Sequence, residues 1–141
     1  MDFCESAGLL VNKLAHLMAQ GMQRRLKACD VTMSQWVVLK FLWEQEGRSQ
    51  VELQEVLGLD GATITGLLQR MSSQDLVHRH ADPMDKRVQR VFLTERGRAL
   101  EQITARFEAE VNACALCDFS EDERAFFLRL VQRALRNCAG L

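Results

Sequence analysis

Apolar residues recur every three to four positions along most of the chain and switch to alternation over one short stretch. Six segments carry the helical period. The first, about 5 to 28, sets Ala7, Leu10, Leu14, Leu17, Met18 and Met22 on one side. The second, about 33 to 46, is apolar nearly all round (Trp36, Val37, Val38, Leu39, Phe41, Leu42, Trp43), which predicts a central, buried helix. A short third, about 50 to 57, stops at Gly58, and a fourth, about 61 to 74, turns Ile64, Leu67, Leu68 and Met71 to one side. The fifth, about 95 to 116, has its stripe at Leu100, Ile103, Phe107, Val111 and Cys114. The sixth, about 121 to 138, carries Phe127, Leu130, Val131, Ala134 and Leu135. Helix starts are legible as well. Thr32 to Gln35, Ser49 to Glu52 and Ser120 to Glu123 fit the capping box, in which a hydroxyl and a Glu or Gln three residues on satisfy each other's free backbone donors. Asp60 and Thr94 are further N-cap candidates.

Between the fourth and fifth segments the period falls to two. Leu76 to His80 and Val88 to Leu93 read as two strands joined by a tip from Ala81 to Arg87. Two helices linked by a short turn and followed by a hairpin make a winged helix-turn-helix. In that arrangement the third helix supports, the fourth enters a DNA major groove and the hairpin reaches along the duplex. The expected fold is therefore mainly α, a single domain over 1–141. The winged helix-turn-helix, with a two-stranded wing, occupies 31–94, and long terminal helices at 1–30 and 95–141 form a dimerisation region. Their apolar stripes need a partner, and a second copy of the chain is the economical one.

The 141 residues are 48% hydrophobic and 26% charged, as in ordinary globular proteins. No apolar run reaches the ~18 residues that span a bilayer. The first ten residues carry no basic leader, so the expected compartment is the cytoplasm, with the five cysteines reduced. A net charge of −1 does not announce a nucleic-acid partner, but its distribution matters more. Acidic residues gather in the last third, whereas Arg70 to Arg90 is basic, with His78, Arg79 and His80 beside the hairpin tip.

Two groups of residues suit DNA contact. Thr63, Thr65, Gly66, Gln69 and Arg70 fall at or near the outward face of the fourth helix. Their hydroxyls, amide and guanidinium suit phosphates and base edges, and a glycine admits close backbone approach. At the hairpin tip Asp85, Lys86, Arg87 and Arg90 cluster near the only proline. An arginine there suits the narrow minor groove, where negative potential is enhanced. A carboxylate beside it fixes the guanidinium in a fork before DNA arrives. Asp85 is the expected orienter, Arg87 the oriented group, and Lys86 a phosphate contact. The blander alternatives are a solvated helix face and a charged turn that only protects a sheet edge.

The stretch LDGATITGLLQRMSSQDLVHRHADPMDKRVQRVFLTERG resembles the recognition helix and wing of the MarR family of bacterial transcriptional regulators. The Asp-x-x-Asp-x-Arg wing and the following Leu-Thr-x-x-Gly are met by Asp82, Asp85, Arg87, Leu93, Thr94 and Gly97, and Ser34-Gln35-Trp36 upstream agrees. The resemblance implies a homodimer knitted by the first, fifth and sixth helices. It also implies a pseudo-palindromic DNA operator, a repressor's role, and release by a small molecule or an oxidant. A crevice bordered by the first, second and fifth helices would offer His16, Trp36 and Arg106 to a small aromatic or phenolic acid, the ligand type many relatives bind.

Cysteine oxidation is the rival trigger. Cys4 and Cys29 are the candidates by exposure, whereas Cys114 and Cys138 fall on apolar stripes and are expected to be buried. Peroxide sensing by a first-helix cysteine supported by tyrosines is disfavoured, because the chain has no tyrosine. Cys114 and Cys117 form a C-x-x-C on a helix without a second ligand pair, so no metal site and no cofactor are expected. His78 and His80 alternate along a strand and read as phosphate supports. No nucleophile elbow, phosphate loop or paired carboxylates with a matching base occurs, so no enzyme is expected. A winged-helix protein-interaction module without DNA binding is the remaining alternative.

Overall fold

A computed structural model describes residues 3–141. Six α-helices and three strands follow in order: α1 (Ala7–Leu26), α2 (Met33–Glu44), β1 (Arg48–Ser49), α3 (Gln50–Leu57), α4 (Gly61–Ser73), β2 (Val77–Ala81), β3 (Gln89–Leu93), α5 (Glu95–Ala115) and α6 (Glu121–Cys138). The helix starts are set by the residues that the capping patterns single out. Thr32, Ser49, Asp60, Thr94 and Ser120 each accept a hydrogen bond from the backbone N–H three residues on. At Thr32 and Ser120 the box is complete, with Gln35 and Glu123 reaching back. Each such cap stabilises its helix by about 1 kcal/mol. Gly58 ends α3 in the left-handed region at φ 65°, a conformation that L side chains resist.

The sheet is antiparallel with order β1-β3-β2, so the wing has three strands rather than the two expected. The extra strand pairs Arg48 with Val91 and Ser49 with Arg90. Two residues are too few to show alternation, and β1 runs directly into the capped start of α3, which masks it in the sequence. The hairpin itself pairs Val77 with Leu93 and Ala81 with Gln89. Val77, Val91 and Leu93 face inward and are buried.

The core gathers Val38, Leu39 and Leu42 of α2 with Leu53, Ile64, Leu68, Met71, Leu76 and Val91. Met22 and Leu26 of α1 and Leu100 and Val111 of α5 join the same cluster, so the long helices share one core with the winged region. Polar ties reinforce that junction. Trp43 Nε1 donates to the Gly97 carbonyl at 3.0 Å, and Lys40 pairs with Glu108 at 2.6 Å.

The inward stripe of α5 is Leu100, Thr104, Phe107 and Val111, of which Thr104 is fully buried. Ile103 and Cys114, expected on the apolar stripe, lie off it and are exposed. α6 buries none of its residues against the rest of the chain, so Cys138 is exposed too. Cys4 is exposed as expected, whereas Cys29 is half-buried against the core because the short turn after α1 folds back onto it. Leu10, Leu17, Ile103, Phe126, Leu130 and Leu135 leave a broad apolar surface on α1, α5 and α6.

Candidate nucleic-acid interface

α3 and α4 meet at the short turn through Gly58. α4 buries Ile64, Leu67, Leu68 and Met71, which leaves Thr63, Thr65, Gln69 and Arg70 exposed on the other side. Thr65 is the least free of these. Its hydroxyl donates to the Gly61 carbonyl and accepts from Gln50 Nε2, both at 2.8 Å, so it staples α4 to α3. Arg70 reaches back along the helix, and its guanidinium lies 3.6 Å from where a Cβ on Gly66 would stand. Asp60 caps the helix, and the backbone N–H of Thr63, with its side chain, holds the Asp60 carboxyl below its usual range. The helix thus presents the Thr63 hydroxyl, the Gln69 amide and the Arg70 guanidinium, while Thr65 is engaged in holding α4 to α3.

At the wing two aspartates divide the work. Asp82 accepts from Arg90 Nε at 2.5 Å and from the Met84 backbone N–H at 2.7 Å, and these two bonds depress its pKa. Arg90 also donates to the Gly47 carbonyl at 2.8 Å, tying the hairpin to the loop before β1. Arg90, one residue pair from the tip end of the ladder, therefore braces the hairpin against that loop. Asp85 accepts from Arg87 Nε at 3.0 Å and Nη2 at 3.2 Å, and from the Arg87 backbone N–H at 3.1 Å. Those Arg87 contacts lower the Asp85 pKa, while the Asp82 charge opposes them. Arg87 is nonetheless 90% exposed, and Lys86 beside it is exposed as well. The outcome is a guanidinium held in one orientation at the tip with its outer edge free. The brace through Asp82 and Gly47 was missed by the sequence reading; its signal was a second aspartate on the other side of Pro83, eight residues before Arg90.

A groove of about 240 Å³ lies between α1, α2 and α5, as the crevice reading expects. Trp36 lines it together with Met18, Met22, Met33, Glu108 and Asn112. His16 and Arg106 are exposed and do not line it. The reason is helical phase. Ala15, Met18, Ala19 and Met22 point into the groove, and His16 sits about 100° round from them. Arg106 is nearly opposite the Glu108 and Val111 face of α5. The cation beside the groove, though not lining it, is Lys40, whose Nζ lies 5.2 Å from the Trp36 ring centre and is paired with Glu108. Among the described residues, Trp36 Nε1 is the buried side-chain polar atom without a hydrogen-bond partner. No group of three or more His, Cys, Asp or Glu among them is placed to hold a metal ion, and no helix among them is long and apolar enough to cross a membrane.

A helical pair, a braced three-stranded wing and long flanking helices define a winged helix-turn-helix regulator of the DNA-binding class. The family model described as MarR family matches residues 31–88. Transcriptional regulator HosA of Escherichia coli O111:H- is 30% identical over 131 residues, covering 89% of this chain and 97% of HosA. The chain belongs to the MarR family of DNA-binding transcriptional regulators. It is similar in structure to a mutant MarR from E. coli complexed with operator DNA (28% identity, TM-score 0.81, covering 91% of this chain and 92% of that one). It is also similar to Bordetella bronchiseptica BpsR, whose DNA binding is regulated by 6-hydroxynicotinic acid (26% identity, TM-score 0.83, covering 95% and 96%).

Proposed function

We propose that this chain is a cytoplasmic repressor that binds a pseudo-palindromic operator as a homodimer and is released by a small aromatic or phenolic acid. The observation that carries the DNA contact is the Asp85–Arg87 fork. An exposed arginine held bidentately at a hairpin tip has lost its rotamer freedom in advance, so less is lost on docking. Thr63, Gln69 and Arg70 supply a second contact surface on α4, and the operator complex of the similar MarR supports DNA binding by this fold. Fluorescence polarisation on DNA from the protein's own promoter region, across a salt series, tests the reading. Affinity should fall steeply as salt rises, through counterion release; absence of binding at low salt would refute it.

Exposed Leu10 and Leu17 of α1, Ile103 of α5 and Phe126, Leu130 and Leu135 of α6 support the dimer. Burying each is worth about 1.5–3 kcal/mol, so several left in water on a monomer would be prohibitive. The subunits are expected not to separate without unfolding. Light scattering should give twice the chain mass at micromolar concentration, and a folded monomer there would overturn the assignment.

For the effector, the groove at Trp36 is smaller than the ~300 Å³ at which drug-sized sites begin, which favours a single ring. A ligand carboxylate would draw Lys40, which stands over the Trp36 ring, from Glu108. Exchange at Lys40 breaks a tie between the winged region and α5, and so loosens the spacing of the two recognition helices. The groove of this chain and the regulation of BpsR by 6-hydroxynicotinic acid both support an aromatic acid. Salicylate-like acids should therefore release the DNA. Indifference to them, with release by peroxide that disappears in Cys4→Ser or Cys29→Ser, would favour the oxidative switch instead.

A further inference from the structure

The outer face of the wing sheet carries two imidazoles, read from the sequence as phosphate supports, whose ring geometry offers a second use. His78 and His80 stand on the same face of β2, about 6.7 Å apart along the strand by its rise per residue. Both are exposed, and their rings converge until Nδ1 of His78 lies 2.6 Å from Nε2 of His80. A hydrogen bond between two ring nitrogens needs one of them bare, with its lone pair turned toward the other. The rings also rest on a floor. Phe92 pairs with His78 across the sheet and stacks on it at 5.6 Å between centres with 14° between planes. The same Phe92 ring lies 6.0 Å from that of His80. Phe92 in turn sits against Gly47, where a Cβ would come within 3.2 Å of its edge.

We propose that His78 and His80 form a bidentate site for a late first-row divalent cation of the zinc, nickel or copper class, with water in the remaining positions. Imidazole suits these metals, whereas magnesium and calcium require oxygen donors. The adjacent carboxylate, Asp82, is committed to Arg90. Metal–nitrogen bonds of about 2.0–2.1 Å place two cis ligands about 2.9 Å apart at right angles and about 3.4 Å apart in a tetrahedron. The rings therefore need to open by less than about 1 Å from their present contact, without backbone movement. The hydrogen of the donating ring moves to its other nitrogen, so that both lone pairs face the cation. With two protein ligands the site is an exchangeable one, not a structural cage.

The site stands whether or not the protein binds DNA, so its test uses the full-length, reduced, DNA-free protein. Zinc is titrated while the imidazole resonances are followed by nitrogen–proton correlation spectroscopy. His78 and His80 should shift together and saturate at one zinc per chain, with His16 unmoved. His78→Ala and His80→Ala should each weaken zinc about a hundredfold, because the chelate loses one arm, while His16→Ala leaves it unchanged. Circular dichroism checks that these surface replacements keep the fold, and the unaltered protein's ring shifts stand without them. Zinc that moves neither ring overturns the proposal. So does affinity that survives both replacements, which would put the metal on exposed thiols such as Cys114 and Cys117.

Discussion

Gly97→Ala is expected to destabilise the protein by about 3–5 kcal/mol, more than any replacement on the DNA-facing surface. An alanine Cβ at this position would stand 2.3 Å from the Leu76 carbonyl oxygen and 3.2 Å from Leu93 Cδ2. Ordinary carbon–oxygen contacts begin near ~3.3 Å, so the first turn of α5 must retreat by about 1 Å. The obstacle is backbone and cannot rotate away. The retreat strains three hydrogen bonds at once: Thr94 N–H to the Leu76 carbonyl, Gly97 N–H to Thr94 Oγ1, and Trp43 Nε1 to the Gly97 carbonyl. Overpacking costs about 1–3 kcal/mol and each weakened bond about 1. Alanine's better helix propensity returns about 1. Urea unfolding should show the loss as a lower midpoint with an unchanged slope. A midpoint equal to that of the unaltered protein would mean that α5 pivots freely on the wing, and that Gly97 does not set the angle between them.

That glycine shows what was legible in the sequence and what was not. The helices could be read because each start is a local event, a hydroxyl or carboxylate bonding a backbone N–H three residues away, as at Thr32, Asp60 and Ser120. The Asp85–Arg87 fork was legible for the same reason, since its partners are two residues apart. Features that depend on distant chain were not. β1 exists only because Arg48 and Ser49 meet β3. The tie of Arg90 to Gly47, an additional role for that side chain, spans forty-three residues. His16 and Arg106 were placed in the groove by helix membership alone, and helical phase turns both away from it. Nor does an apolar period say which body covers it. The stripes of α1 and α6 read as faces in need of a partner, and Leu17 and Leu135 lie exposed on the chain itself, with nothing in the period to name what covers them.

Arg87→Ala is expected to weaken operator binding about a hundredfold, on the reading that the wing tip enters the minor groove. A twofold dimer loses two such contacts by symmetry, and each costs about tenfold or more. The logarithmic salt dependence should become shallower by ~2, because each wing gives up about one neutralised phosphate-equivalent. Lys86→Ala should flatten the slope equally with a smaller loss of affinity, since an ammonium acts as a point charge. Arg87→Lys separates charge from geometry. It keeps the counterion term and the slope but loses the bidentate fork to Asp85, so affinity falls while salt dependence holds. Asp85→Ala is the decisive variant, because two effects of opposite sign meet there. Removing a carboxylate near DNA relieves repulsion, while freeing the Arg87 guanidinium restores the rotamer freedom that docking must then freeze. Repulsion at an exposed tip is screened within a Debye length of about 8 Å at physiological salt. Loss of the fork acts at contact distance and is screened far less, so Asp85→Ala should bind more weakly than the unaltered protein. Polarisation titrations of the four variants at two salt concentrations check this order, and tighter binding by Asp85→Ala would mean that the carboxylate acts on DNA by repulsion and not as the holder of Arg87.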